Sequence, residues 1–459
     1  LEIRRHNGIK PKSSPVYLRL VPLIGIGLLL FYTFRLYTFA YFSTDDFINF
    51  YWVQPRRFTE MISYVINPAS DFFRPAGTLL YWITLQLFDR EPAGYHAVLW
   101  SFHAVNVALV YTVLRRFTVS QAGAIVGAVL FASQHVFGDI YWSFGTIFEV
   151  VGLMLYLTGM LVWSVEHRSL RHVVLASVVF LLALKAKEMA ITLPLIWLAH
   201  DLLIRRNMNR RMLQHFLIPA AVGAWYGFRK LAEMTGTDPG HPYYMDLSSL
   251  TLGRGFGGYF NMLFAVEWRW QIWAIAFSVI LLLLALLKKR EAVFFQLYVF
   301  VVFLPVIFLI NHRHSFYWYF PMLGICGLCA LMIREVKPLF VIYLPPRMVA
   351  PLWLAVFAWL CHRTYIRTSD LTEERRLLQQ TLARDYRGFV SGLRSLSTPE
   401  PGETLYFRSR PQFVENDHLL YATQFALRRT DVQARFVDTF PENARYRLGF
   451  EKSMIVNEP

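Results

Sequence analysis

The chain has 459 residues, of which 55% are hydrophobic, 17% aromatic and only 17% charged, with a mean hydropathy of +0.37. A soluble domain carries about 25% charged and roughly 45–50% apolar residues, so this composition excludes a soluble globular protein and indicates a polytopic helical membrane protein. The formal charge of +15 does not indicate nucleic acid as a partner, because the basic residues fall in short clusters between apolar runs, the spacing of cytoplasmic loops.

The first apolar run, about 16–40, is long enough to cross a bilayer and too long for a cleavable signal. Arg4, Arg5, Lys10, Lys12 and Arg19 precede it, which puts the N-terminus in the cytoplasm. An outer segment, about 41–93, follows; it is polar and aromatic, with an amphipathic stretch from Tyr51 to Ile66. A second span, about 94–114, returns to Arg115 and Arg116, a third covers about 121–138, and a fourth, about 145–165, ends at His167, Arg168, Arg171 and His172. Two short runs flank Lys185, Lys187 and Glu188, and the second of them ends at Arg205, Arg206, Arg210 and Arg211.

A seventh span, about 212–231, leads to a second outer segment, about 232–267, that carries the glycine-rich run from Gly253 to Gly258. Further spans are expected at about 268–287, 292–310, 316–333 and 348–364, with basic clusters at Lys288, Lys289 and Arg290 and at Arg334 and Lys337. Residues 338–344 are apolar but too short to span, and read as an interfacial or broken piece. The total is about eleven spans, with nearly every basic cluster on the inner side. Cys326 and Cys329 lie inside an apolar run and read as small residues on one helix face, not as a redox or metal pair. The tail, about 367–459, changes composition: Thr372 to Leu393 reads as a charged amphipathic helix, Glu403 to Ser409 as a strand, Asp417 to Arg429 as a helix and Gln433 to Phe440 as a strand. The expected architecture is therefore mainly α. A transmembrane bundle covers 1–366, and a small extramembrane α/β domain covers 367–459 on the outer side.

Ionisable groups at a membrane face are costly and commonly functional. Asp45 and Asp46 follow the first span directly; a carboxylate there suits a general base, while Asp is equally a good helix N-cap for a helix starting near Phe47. In the run from Asp71 to Pro75, Arg74 precedes a proline and should be extended or in a turn. Its guanidinium suits phosphate, and it equally suits snorkelling to headgroups. His103 and Asn106 share one helix face, which must meet protein or water. His135 and Asp139 end the third span; two such groups do not make a metal site, and no metal is expected. Lys185 and Lys187 beside Glu188, and the run His312, Arg313, His314, place cations near the outer face, where a lipid-linked phosphate could be neutralised.

Taken in order, Asp45-Asp46, Phe73-Arg74-Pro75 with Tyr81, His103 to Asn106, Leu130 to His135 with Trp142, Ala183 to Glu188 and Tyr317 to Pro321 resemble the GT-C glycosyltransferases. The likeness is to the tetratricopeptide-bearing transmembrane O-mannosyltransferases and their bacterial relatives, although the tail shows no tetratricopeptide pattern. The resemblance implies a GT-C fold in a bacterial inner membrane. It also implies inverting transfer of a sugar from a polyprenyl-phosphate donor to a protein, lipid or glycan hydroxyl on the periplasmic side. It makes Asp45 or Asp46 the catalytic base. Arg74, Lys185, Lys187 and Arg313 would then hold the donor phosphate, with His103, Asn106, His135, Asp139 and Glu188 shaping the cavity. No cofactor is expected beyond the lipid-linked donor. The competing reading is a non-catalytic membrane protein, either a lipid or polysaccharide transporter or a structural subunit on the same scaffold.

Overall fold

A computed structural model describes residues 40–67, 74–206, 209–234, 238–343, 380–409, 416–451 and 453–457, with isolated positions at 27 and 377. The expected first and eleventh spans and the start of the tail helix lie almost entirely outside the described residues.

The outer segment after the first span folds into three short helices: α1 (Thr44–Val53), α2 (Phe58–Ile66) and α3 (Pro75–Phe88). The amphipathic stretch is thus two helices, broken at Pro55, whose ring cannot continue a helix. Ser43 opens α1, and Asp46, three residues on, accepts the Ser43 N–H at 2.6 Å, one half of a capping box.

The bundle begins with α4 (Pro92–Thr118), which has Pro at its first position and Arg115 and Arg116 in its last turn, where cations oppose the negative end of the helix dipole. After α5 (Gln121–Ala132) the chain turns through a 3-10 turn (His135–Phe137) and α6 (Gly138–Trp142) into α7 (Ile147–Trp163) and α8 (Leu170–Ala186). A second 3-10 segment (Glu188–Thr192), α9 (Leu193–Ala199) and a π-helical turn (His200–Arg205) precede α10 (Arg210–Met234). Then come α11 (Ser249–Phe264), α12 (Trp270–Leu286), α13 (Arg290–Ile307), a 3-10 segment (Ser315–Tyr319) and α14 (Met322–Tyr343).

Among the described residues three helices are long and apolar enough to cross a membrane: Pro92–Thr118, Phe144–Trp163 and Arg290–Ile307. The count of eleven is not reached because several apolar runs are not single helices. The third stops at Ala132 before Ser133 and Gln134, and the sixth breaks into 3-10, α and π pieces. Two further expectations change. The glycine-rich run is helical, inside α11, and a Cβ at Gly255 would stand 2.2 Å from the Ile307 carbonyl; only glycine lets α11 lie this close to the end of α13. The apolar piece after Lys337 is no separate element, since α14 continues through it to Tyr343.

The tail contains α15 (380–394), β1 (Thr404–Phe407), α16 (Asn416–Leu427), β2 (Gln433–Phe436), β3 (Tyr446–Glu451) and β4 (Met454–Asn457). The sheet order is β2-β1-β3-β4, with β1 parallel to both β2 and β3, and β4 antiparallel to β3. The tail docks on the first outer segment. Phe425 of α16 stacks on Phe50 of α1 with ring centroids 4.6 Å apart, and Arg90 donates to the Phe425 carbonyl at 2.9 Å. Tail and first outer segment therefore lie at the same end of the spans.

Candidate active site

A cavity of about 1020 Å³ opens between α1, the α5–α7 connection, the segments before α3 and α11, the 312–316 loop and the tail helix α15. At one end it meets Asp45, Ile48 and Asn49 of α1 with Leu382 and Tyr386 of α15. At the other it meets Arg74, Glu149, Lys187, Tyr243, His312 and His314. Asp139 and Trp142 line it as well.

The two adjacent aspartates separate in role. Asp45 is exposed in the first turn of α1 and lines the cavity, and among the described residues its carboxylate has no hydrogen-bond or ion-pair partner. Asp46 is fully buried and does not line the cavity. It accepts from the Ser43 N–H, from the Ser43 hydroxyl at 2.9 Å and from the Tyr81 hydroxyl at 2.5 Å. Burial pushes its carboxyl up from 3.8 to about 6, against the opposing pull of the Tyr81 and Ser43 hydrogen bonds. The capping geometry belongs to Asp46, and the cavity belongs to Asp45.

Arg74 has φ 50°, in the left-handed region rather than the extended or turn conformation expected before proline. That conformation costs a non-glycine residue roughly 1–2 kcal/mol. It accompanies a two-pronged contact with Glu188: Nε donates to Oε2 and Nη2 to Oε1, both at 3.0 Å. Lys187 is almost fully buried and pairs with Glu149, and its Nζ also stands 3.3 Å from Glu188 Oε1. Burial would raise the Glu188 carboxyl; Arg74 and then Lys187 outweigh this and hold it well below the ordinary carboxylate range. Space for the Lys187 stem comes from Gly152 on α7, where an added Cβ would lie 2.7 Å from Lys187 Cβ. Two cations and two carboxylates thus form one compensated group at this end of the cavity.

His312 and His314 face the same end, with His314 Nε2 3.2 Å from His312 Nδ1. Burial, then the neighbouring His314, Lys187 and Arg74, push His312 down to about 4. Asp139 lies near this loop, with the Ser315 hydroxyl 3.5 Å from its Oδ2.

Other expected site residues are elsewhere. His103 and Asn106 are buried in the bundle: His103 Nδ1 is 2.8 Å from the Tyr319 hydroxyl, and Asn106 Nδ2 donates to the Val150 carbonyl at 2.7 Å. Their shared face ties α4 to α7 and to the Ser315–Tyr319 segment, not to the cavity. Lys185 donates to the Asn67 carbonyl at 2.5 Å, joining α8 to the end of α2, outside the cavity lining. Arg313 turns away between the two histidines, its Nε 3.3 Å from the Leu309 carbonyl. His135 is placed in its 3-10 turn by its backbone, but its side chain and Asp71 lie outside the described residues. Sequence reasoning missed Glu149, although a lone carboxylate in the first turn of an apolar span is a signal in itself. It also missed the wall that Leu382 and Tyr386 contribute from the tail. Among the described residues no group of three or more His, Cys, Asp and Glu side chains is gathered for a metal ion.

No family model matches the chain, and no curated protein matches it in sequence. Solved structures do. The archaeal oligosaccharyltransferase AglB from Archaeoglobus fulgidus, in complex with an inhibitory peptide and a dolichol-phosphate, aligns with a TM-score of 0.52 at 11% identity over 92% of this chain and 65% of that one. The Archaeoglobus fulgidus oligosaccharyltransferase tethered to an acceptor peptide gives 0.52 at 12% identity over 91% and 64%. ArnT from Cupriavidus metallidurans bound to undecaprenyl phosphate gives 0.49 at 12% identity over 92% and 86%. This chain spans just under two thirds of the oligosaccharyltransferase chains. At such identities the likeness is one of fold: the protein is an integral membrane protein with the fold of the GT-C glycosyltransferases.

Proposed function

We propose that the protein is an inverting glycosyltransferase that moves a sugar from a polyprenyl-phosphate donor to an acceptor hydroxyl at the outward face. One observation carries this reading: the exposed carboxylate of Asp45 and the buried cations Arg74 and Lys187 line the same cavity. Its volume, about 1020 Å³, is at the upper end for a ligand pocket and has room for a sugar phosphate and an acceptor together. The related fold of AglB holds a dolichol-phosphate and a peptide, which accords with a lipid-linked donor.

In this mechanism the acceptor hydroxyl lies against Asp45, between α1 and the tail helix. Asp45 takes its proton as the oxygen attacks the anomeric carbon from the face opposite the phosphate. The bond from that carbon to the phosphate oxygen breaks in the same step, and the polyprenyl phosphate leaves with the electron pair. Arg74 and Lys187 stabilise the charge that develops on it. Asp139 is placed to accept a hydroxyl of the donor sugar. The basic clusters on the opposite ends of the spans give this face as periplasmic, in a bacterial inner membrane. The tail, about 367–459, forms an extramembrane domain on the acceptor side.

The test is transfer from a panel of polyprenyl-phosphate sugars by the purified protein, combined with mass spectrometry of the lipid that purifies with it. Asp45→Asn should lower transfer by at least about 10²-fold with folding intact, and an isoprenoid phosphate should be found bound. Full activity in Asp45→Asn rejects the carboxylate-base mechanism.

A further inference from the structure

Arg74 and Lys187 alone do not make the donor end of the cavity positive. Each already faces a carboxylate: Arg74 meets Glu188, and Lys187 meets Glu149 and Glu188. With Asp45 and Asp139 in the same lining, two cations stand against four carboxylates. An entering phosphodiester adds a further negative charge to this enclosure, and like charges at close range disfavour one another. In the described lining, the remaining side chains that can gain a positive charge are His312 and His314.

These two are built as a pair. Their ring centroids are 4.3 Å apart, and the nitrogens that face each other are 3.2 Å apart. His314 stacks on Phe316 at 4.9 Å, with the rings within 9° of parallel, and His312 packs on the Tyr243 ring at 4.7 Å. Alternation along the loop sends Arg313 the other way, toward the Leu309 carbonyl. One proton is enough to make every outward nitrogen of the pair a donor. The groups around the pair come from every neighbouring element: Arg74 before α3, Lys187 and Glu188 after α8, Glu149 on α7, Tyr243 before α11, Tyr317 in the following segment and Asp139 through Ser315.

We propose that His312 and His314 form the anion site for the donor's phosphodiester, and that its binding is accompanied by uptake of one proton onto the pair. The inference rests on the lipid-phosphate donor proposed above. An anion held 4–6 Å from a histidine favours the protonated ring by roughly 1–3 pH units. The complex is therefore tightest at low pH and weakens as pH rises through the value at which the occupied pair loses its proton. With the cavity empty, burial and the nearby Lys187 and Arg74 keep His312 neutral near pH 7.

The probe is methyl farnesyl phosphate, a phosphodiester whose own ionisation lies far below the range used, titrated into the full chain in detergent at pH 5.5 and 7.5. The wild-type protein should bind about tenfold more tightly at pH 5.5. The variant His312→Gln/His314→Gln should bind equally at both values, near the wild-type affinity at pH 7.5. Asp46→Asn should keep the wild-type ratio. Calorimetry of the wild type at pH 6.5, in buffers of different ionisation enthalpy, should show net proton uptake, and needs no variant to fold. A flat wild-type profile, zero uptake, a ratio that survives in the double histidine variant, or one that disappears in Asp46→Asn would each overturn the proposal. Binding without pH dependence would leave the donor reading in place, whereas absence of binding at both pH values would remove both.

Discussion

Asp46→Asn separates the two aspartates by stability alone. In the native protein the carboxyl of Asp46 is fully buried and titrates at about 6 instead of 3.8. A gap of about two units corresponds to about 3 kcal/mol. The sign follows from which state holds the proton more tightly, and here it is the folded one. The contribution is fully present below about pH 4, declines as pH rises, and is lost above about pH 6. The asparagine variant has no such titration. At pH 7.5 it is relieved of a buried charge, but its amide cannot replace every acceptor contact to Ser43 and Tyr81. The lost cap costs about 1 kcal/mol. The variant should match or exceed wild-type stability at pH 7.5 and fall below it near pH 5, so the two curves cross. Thermal unfolding of both proteins in detergent from pH 4.5 to 8 measures the difference directly. Parallel curves would refute the reasoning, because they would mean that the hydrogen bonds cancel the desolvation of Asp46 completely.

Two further predictions concern what holds the site and the tail in place. Lys187→Met leaves Glu149 buried without its cation and should cost roughly 3–5 kcal/mol, whereas Lys187→Met/Glu149→Leu should recover most of that loss. If the two single losses simply add in the double variant, by thermal unfolding, the buried pair is not the coupled unit described here. At the docking surface of the tail, Arg428 pairs with Asp89, but both side chains are at least half exposed, so Arg428→Ala should cost no more than about 1 kcal/mol. Phe425→Ala, at a ring buried against Phe50, should cost roughly 3–5 kcal/mol and expose the tail to limited proteolysis.

Hydropathy and charge carried much of the architecture. The spans about 94–114, 145–165 and 292–310 correspond to α4, α7 and α13, and the tail pattern located β1, α16 and β2. Apolar length alone could not show where a run stops being one helix, as after Ala132, because Ser133 and Gln134 sit within an apolar average. β3 and β4 were not read from the sequence; β3 is stabilised by β1, which lies about 40 residues earlier in the chain. In the site, Asp45, Arg74 and Lys187 stood out as charges at the ends of apolar runs. His103 and Asn106 stood out for the same reason and proved to be packing residues. Helical spacing shows that two side chains share a face, but not whether that face meets a cavity or another helix. The pairing of Lys187 with Glu149 joins residues 38 positions apart in sequence, and no local pattern encodes it.

The contacts around Asp45 explain how an exposed carboxylate can be held in place. Four connections fix the segment that carries it. Asp46 joins α1 to α3 through Tyr81, and Arg74 joins the start of α3 to Glu188. Lys185 joins α8 to the last residue after α2 through the Asn67 carbonyl, and Phe50 stacks α1 on the tail through Phe425. None of the four uses the Asp45 side chain. Its neighbour Asp46 supplies the capping interaction that an aspartate at this helix start would otherwise make for itself. An acid adjacent to a potential base therefore does structural work that leaves the base open to the cavity. The requirement for two consecutive aspartates follows from that division: one carboxylate cannot both be buried under Tyr81 and accept a proton from an incoming hydroxyl.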